Sequence, residues 1–226
     1  MLRNRLLFLT PVIAFVVVFI FSLALFPSVQ PQPKNLPIAI VNLDRGVEIP
    51  QQPKMNMGQT MVEMMKKSSE TTQGKTPAVK WVEVKSIEEV RKDLDDQKYY
   101  GALVIPQDFS AKLLSLRTAN PASPEVQIYI NQGMNAAAST IAGQILNGVV
   151  DRMNGNIHTQ LLQWFASRGA TVTVKQASHL ATPITKQVTN VHPIGKNSAN
   201  GNAPVSLFQP LWISTLASAV ISCHQL

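Results

Sequence analysis

Gly74-Lys75-Thr76 is where this chain comes nearest to a phosphate-binding loop, whose glycines expose backbone N–H groups and whose lysine reaches the phosphates. The pattern needs a further glycine five residues before Gly74, and Ser69 stands there with no strand-like run leading in. Chance accounts for the match. His158, His179, His192 and His224 are scattered without His-x-x-x-His or cysteine-containing metal spacing, and neither Gly-x-Ser-x-Gly nor His-Glu-x-x-His occurs. Glu88, Glu89, Asp93, Asp95 and Asp96 gather enough carboxylates to suggest a cation site. Arg91, Lys92 and Lys98 interleave with them, and Ile87, Val90 and Leu94 supply an apolar stripe, so the cluster reads as the solvated face of a helix. Asp44 follows a strand-like run and is placed where a cleft could form, yet Asp44-Arg45-Gly46 is also an ordinary turn out of a strand. The reading is of a protein that is not an enzyme. It has no catalytic, cofactor-binding or metal residues, and its substrate contacts are not legible.

The elements around these residues alternate. Ile38 to Asn42 is a short β-branched run, and Met57 to Lys67 has helical spacing before an exposed loop over Ser68 to Pro77. Lys80 to Val84 is a second strand. Ser86 with Glu89 has capping-box spacing for a helix through about Gln97. Tyr99 to Ile105 is the strongest strand, closed by Pro106; Asp108 or Ser110 caps a short helix through Leu116, and Glu125 to Ile130 is another strand. This order predicts an α/β layer with a partly parallel sheet.

From Asn135 to about Ala166 the pattern changes to one long amphipathic helix. Its stripe is Ile141, Ile145, Val149, Met153, Ile157, Leu161 and Phe165, widened by Leu146, Val150 and Leu162. Gly143, Gly148 and Gly155 are places where it could break, and its length suggests that part stands away from the sheet to meet a partner. Thr171 to Val174 returns to β-type residues, and the chain is then irregular through His192-Pro193.

Apolar segments flank this region. Leu6 to Phe26 follows a basic start at residues 1–5 and is long enough to cross a bilayer as a helix. A cleaved signal peptide is the rival, but its apolar core would be shorter, and Ser22-Leu23-Ala24 is a poor cleavage site. Arg3 and Arg5 place the N-terminus in the cytoplasm and residues 27–206 outside. Residues 27–37, with Pro27, Pro31, Pro33 and Pro37, read as an extended stem. The outer domain is then 38–196, and 197–206 is a polar loop into a second span at 207–223. That span is short and carries Gln209-Pro210, with Trp212 suited to an interface; a buried domain helix is its rival.

Composition narrows the partners. The net charge is +7 over 226 residues, and removing Arg3 and Arg5 leaves +5 for the rest. Such a mild excess, without dense Lys/Arg clusters and interleaved aromatics, does not point to nucleic acid. The single cysteine, Cys223, lies in the second apolar segment, so the outer domain is built without disulfides.

The joint order of several segments resembles the YhgE/Pip family, named for phage infection protein, within the ABC-2-type membrane protein superfamily. The segments are the basic N-terminal span, Leu36-Pro37-Ile38-Ala39-Ile40-Val41-Asn42-Leu43-Asp44, Tyr100-Gly101-Ala102-Leu103-Val104-Ile105-Pro106-Gln107-Asp108-Phe109-Ser110, and Ile128-Tyr129-Ile130-Asn131-Gln132-Gly133-Met134-Asn135. Gly201-Asn202-Ala203-Pro204 leading to Pro210-Leu211-Trp212 completes them. The resemblance implies a bacterial cell-membrane protein whose extracellular domain is followed by further spans, of which this chain is a truncated member. It implies the N-terminal part of an ABC-2-like export permease whose outer domain gates or hands on a substrate. The alternative is a cell-surface receptor or interaction protein serving phage adsorption or type VII secretion. Expected partners are the bilayer, further copies of the chain, a separate ATPase subunit, and a phage or secretion-system protein; no cofactor is expected.

Overall fold

A computed structural model of the chain describes residues 15, 19, 34–48, 51, 53–70, 77–195, 208 and 210–216. Strand β1, Leu36–Asn42, is the organising element, because its β-branched run is buried on both faces. It pairs in parallel with β2, Val79–Glu83, and with β3, Gly101–Ile105. Strand β4, Glu125–Asn131, runs antiparallel to β3, and β5, Thr185–Val191, runs parallel to β4. The sheet order is β2-β1-β3-β4-β5. Its parallel pairs need crossover connections, and helices supply them.

Alternation along β1 and β3 sorts the apolar side chains into two layers. Leu36, Ile38, Ile40, Leu103 and Ile105 point into the larger core, which is covered by α1 (Met57–Glu70), α3 (Phe109–Ser115), α4 (Ala136–Ser167) and α5 (Val174–Ala181). Ala39, Val41, Ala102 and Val104 face a smaller core under α2 (Ile87–Asp95), where Val90 and Leu94 are fully buried one turn apart. Each fully buried side chain of that size stabilises the fold by roughly 1.5–3 kcal/mol.

Helix α4 is continuous over 32 residues, about 48 Å at the usual rise. Its deepest residues, Ala142, Leu146 and Val150, lie one position round from the expected Ile141–Ile145–Val149 line, and Ile141 and Ile145 pack at the core margin. None of the glycines breaks it. A side chain at Gly143 would meet Ile130 Cδ1 at 2.8 Å, so the absence of a Cβ lets helix and sheet approach, whereas Gly148 and Gly155 face open space. The N-terminal half lies on β4, β3 and β1; beyond Met153 the burial thins to Leu161 and Phe165.

Three expectations need correction. Pro37 belongs to β1, where its carbonyl accepts from Tyr100 N at 3.1 Å, so the stem does not extend to it. Thr171–Val174 is not a strand: Thr173 caps α5 through a capping box with Gln176, because a threonine hydroxyl satisfies an orphan N–H at a helix start. The stretch expected to be irregular contains β5, a polar strand held by seven registered pairs with β4. Strands and helices elsewhere fall within a few residues of their expected positions.

The chain divides into two compact units, residues 1–33 and 34–226. In the first, Phe15 and Phe19 are helical and their rings stack at 6.4 Å. Most of the expected span at 6–26, residues 71–76 of the loop expected over Ser68 to Pro77, the 197–206 segment and much of the expected span at 207–223 lie outside the described residues, and Ser68 to Glu70 of that expected loop belong to α1; Phe208 and 210–216 are helical and exposed. Among the described residues no helix is long and apolar enough to cross a membrane.

Candidate functional site

Asp44, 8 % exposed, sits just beyond the C-terminal end of β1, and its carboxylate is fully engaged by the protein itself. Oδ1 accepts from Gly46 N at 3.2 Å and Ser110 N at 3.0 Å; Oδ2 accepts from Gly58 N at 3.0 Å and the Ser110 hydroxyl at 2.5 Å. Gly58 is in the first turn of α1 and Ser110 in the first turn of α3, so one carboxylate serves two helix N-termini, where the backbone dipoles favour negative charge. The rest of the α1 start is closed as well. Ser110 Oγ accepts from Met57 N at 2.8 Å, and Asn56 Oδ1 accepts from Gln59 N at 2.7 Å. Asp44 is therefore a structural clamp, with no lone pair left for a ligand.

What the clamp positions is a cavity. Clamping α1 and α3 side by side leaves a trough between them and the outer half of α4, with a volume of about 350 Å³, in the range of small-molecule sites. Met55, Met57 and Met64 form one wall, Phe109 and Leu113 line it from α3, and Met153, Ile157 and Leu161 form the facing side. Methionine is flexible and polarizable, and suits an apolar surface that must adapt to an occupant. Asn156, Gln160 and Thr60 supply a polar margin, and Arg117 is the charged residue in the lining. Its guanidinium lies 5.6 Å from the centroid of Trp164, and that of Arg168 lies 4.8 Å from the same ring, placing two cations around one indole. Sequence reasoning placed Met153, Ile157 and Leu161 on an apolar stripe but missed the trough, because its other wall comes from residues about 90 positions earlier whose approach depends on the Asp44 clamp.

The remaining chemistry-bearing residues serve the fold. Ser86 caps α2 by accepting from Glu89 N at 3.2 Å. Asp93 pairs with Lys98 at 2.6 Å, Asp96 lies 3.7 Å from the same ammonium, and Asp95 is 3.1 Å from His192 Nε2. The Glu88 carboxyl is held below its ordinary value by a backbone hydrogen bond and then by Ser86. His158 Nδ1 lies 2.7 Å from the Leu180 carbonyl and His179 Nδ1 2.9 Å from Ser123 Oγ, so both fasten α5 to its neighbours. Among the described residues no group of three His, Cys, Asp or Glu side chains converges. Gly74-Lys75-Thr76 and His224 lie outside the described residues.

The chain folds as an α/β domain with a mixed five-stranded sheet, whose longest helix and first crossover helix frame an apolar trough. Residues 5–223 match the profile of the ABC-2 family transporter proteins, and the chain belongs to that family. It is 24% identical over 131 residues, 58% of its length, to the uncharacterized protein YhgE of Bacillus subtilis (strain 168), and it spans 15% of that protein. It is also similar to the crystal structure of a domain assigned to an ABC type-2 transporter of Thermotoga maritima MSB8. That likeness has 16% identity and a TM-score of 0.43, covering 75% of this chain and 99% of that one.

Proposed function

We propose that this chain is the N-terminal portion of an ABC-2-type export permease in a bacterial cell membrane, with the α/β domain outside the cytoplasm receiving or handing on cargo. The observation that carries this reading is the extent of the family match, which runs from the first apolar segment through the whole α/β domain into the second. A route across the bilayer requires a bundle of helices, completed by further spans or further copies of the chain. Export driven by ATP would draw on a separate ATPase subunit, since Gly74-Lys75-Thr76 lacks the glycine a P-loop needs. The chain itself acts without covalent chemistry.

Topology is the decisive requirement. In a Cys223→Ser background, a Ser69→Cys protein in intact cells reacts with a membrane-impermeant maleimide if residues 27–206 face outward. Protection in intact cells with labelling after lysis would overturn both the orientation argued from Arg3 and Arg5 and the cargo role built on it.

A further inference from the structure

We infer that the trough between α1, α3 and α4 binds a single-chain anionic amphiphile, a linear hydrocarbon chain ending in a carboxylate, with the chain along the methionines and the head at Arg117. This deepens the proposed export function by naming a ligand class, and it rests on that reading only in treating the ligand as cargo.

Shape indicates a chain rather than a compact ring system. Met153, Ile157 and Leu161 follow one another at four-residue intervals, so the apolar floor they lay down on α4 extends about 12 Å. The opposite wall is methionine, and Met64 remains 48 % exposed, which leaves a large apolar side chain at the mouth in contact with water. An apolar occupant would remove this surface from water, which favours binding.

Charge sets the direction of the ligand. The charged lining residue, Arg117, has no carboxylate within ion-pair distance among the described residues. Arg168, outside the lining, has its guanidinium 4.8 Å from the centroid of the Trp164 ring that Arg117 also approaches, and adds a second cation nearby. Trp164 also falls one turn beyond Leu161, so the floor leads from hydrocarbon surface directly to guanidinium. A guanidinium matches a carboxylate with two parallel hydrogen bonds, and a neutral head would leave that match unused.

The test uses the full chain in phosphatidylcholine nanodiscs, with Trp81→Phe and Trp212→Phe so that Trp164 is the reporter, titrated with doxyl-labelled dodecanoate. Saturable quenching of Trp164 is expected. Arg117→Gln should weaken it about tenfold, Arg117→Lys should recover part of the loss, and the methyl ester of the probe should bind about tenfold more weakly than the acid. Met64→Glu, at an exposed position and thus compatible with folding, should also abolish saturation. Quenching that is not saturable, that is equal for acid and ester, or that is unchanged by Arg117→Gln in a protein of parental circular dichroism, would overturn the inference. Export is read separately, as efflux of dodecanoate from cells with and without the gene. Normal binding with unchanged efflux would refute the cargo role and leave the site standing.

Discussion

Asp44 and Ser110, 66 residues apart, grip each other twice: the Ser110 amide donates to Oδ1 at 3.0 Å and its hydroxyl to Oδ2 at 2.5 Å. Because the same hydroxyl accepts from Met57 N and the same carboxylate from Gly58 N, the pair joins the exit of β1 to the starts of α1 and α3. These are two of the three helices that frame the trough.

Removing the carboxylate leaves several buried donors without an acceptor at once. A lost helix cap costs about 1 kcal/mol, and a stranded buried donor about 1–3 kcal/mol. Asp44→Ala is therefore expected to destabilise the full chain by about 3 kcal/mol, measured by chemical denaturation in detergent. Ser110→Ala should cost less, and the double variant less than the sum, since both changes break the same contacts.

The glycines make opposite predictions according to what lies beside them. A Cβ at Gly58 would stand 2.6 Å from both Asn42 Oδ1 and Asp44 Cβ, so Gly58→Ala forces apart the clamp itself. It should destabilise by about 1–3 kcal/mol although alanine is the better helix former. Gly148→Ala and Gly155→Ala meet nothing within 4 Å and should each stabilise α4 by about 0.5–1 kcal/mol. The readout is the melting temperature of the three variants against the parent.

The parts legible in the sequence were those whose pattern is local. Ile38–Asn42 and Tyr99–Ile105 announce buried strands because both faces are apolar, and Ser86 with Glu89 three residues later announces a helix start. β5 was hidden because Thr185–Val191 is polar and largely exposed; it is a strand through its pairing with β4, a long-range fact. Thr171–Val174 misled for the converse reason, since β-branched residues also suit the extended approach to a capped helix. Asp44 was visible as a residue of interest, but two of its carboxylate's three partners, Gly58 and Ser110, lie 14 and 66 positions away, and no spacing rule connects them.

Asn154 tests what holds β5 in place. Its amide donates to the Ile184 carbonyl at 3.0 Å and accepts from Ile184 N at 2.7 Å, giving the residue before β5 a backbone-like pair on α4. Asn154→Leu removes both bonds at a half-buried position, and a cost of about 1–3 kcal/mol is expected. Hydrogen exchange should rise in 184–191 while β1 and β3 stay protected. Uniform acceleration across the sheet would show instead that β5 unfolds only with the whole domain.

Alkaline pH should weaken the junction between α2 and β3. Lys98 titrates above the ordinary lysine value, chiefly because its ammonium donates to Asp93 and further because Asp93 and Asp96 are negative; Tyr99 titrates above the ordinary tyrosine value, chiefly through burial and further through Asp93. A group whose value is raised by folding contributes stability that is complete below its unfolded value, about 10 for tyrosine and 10.4 for lysine, and lost as pH rises through the folded one. The unfolded chain releases these protons first, so melting temperature should fall above about pH 10. Tyr99→Phe should flatten that fall, and Lys98→Met should flatten it further while lowering stability at neutral pH, where Asp93 loses its partner. An alkaline limb identical in parent and both variants would assign the loss to other groups.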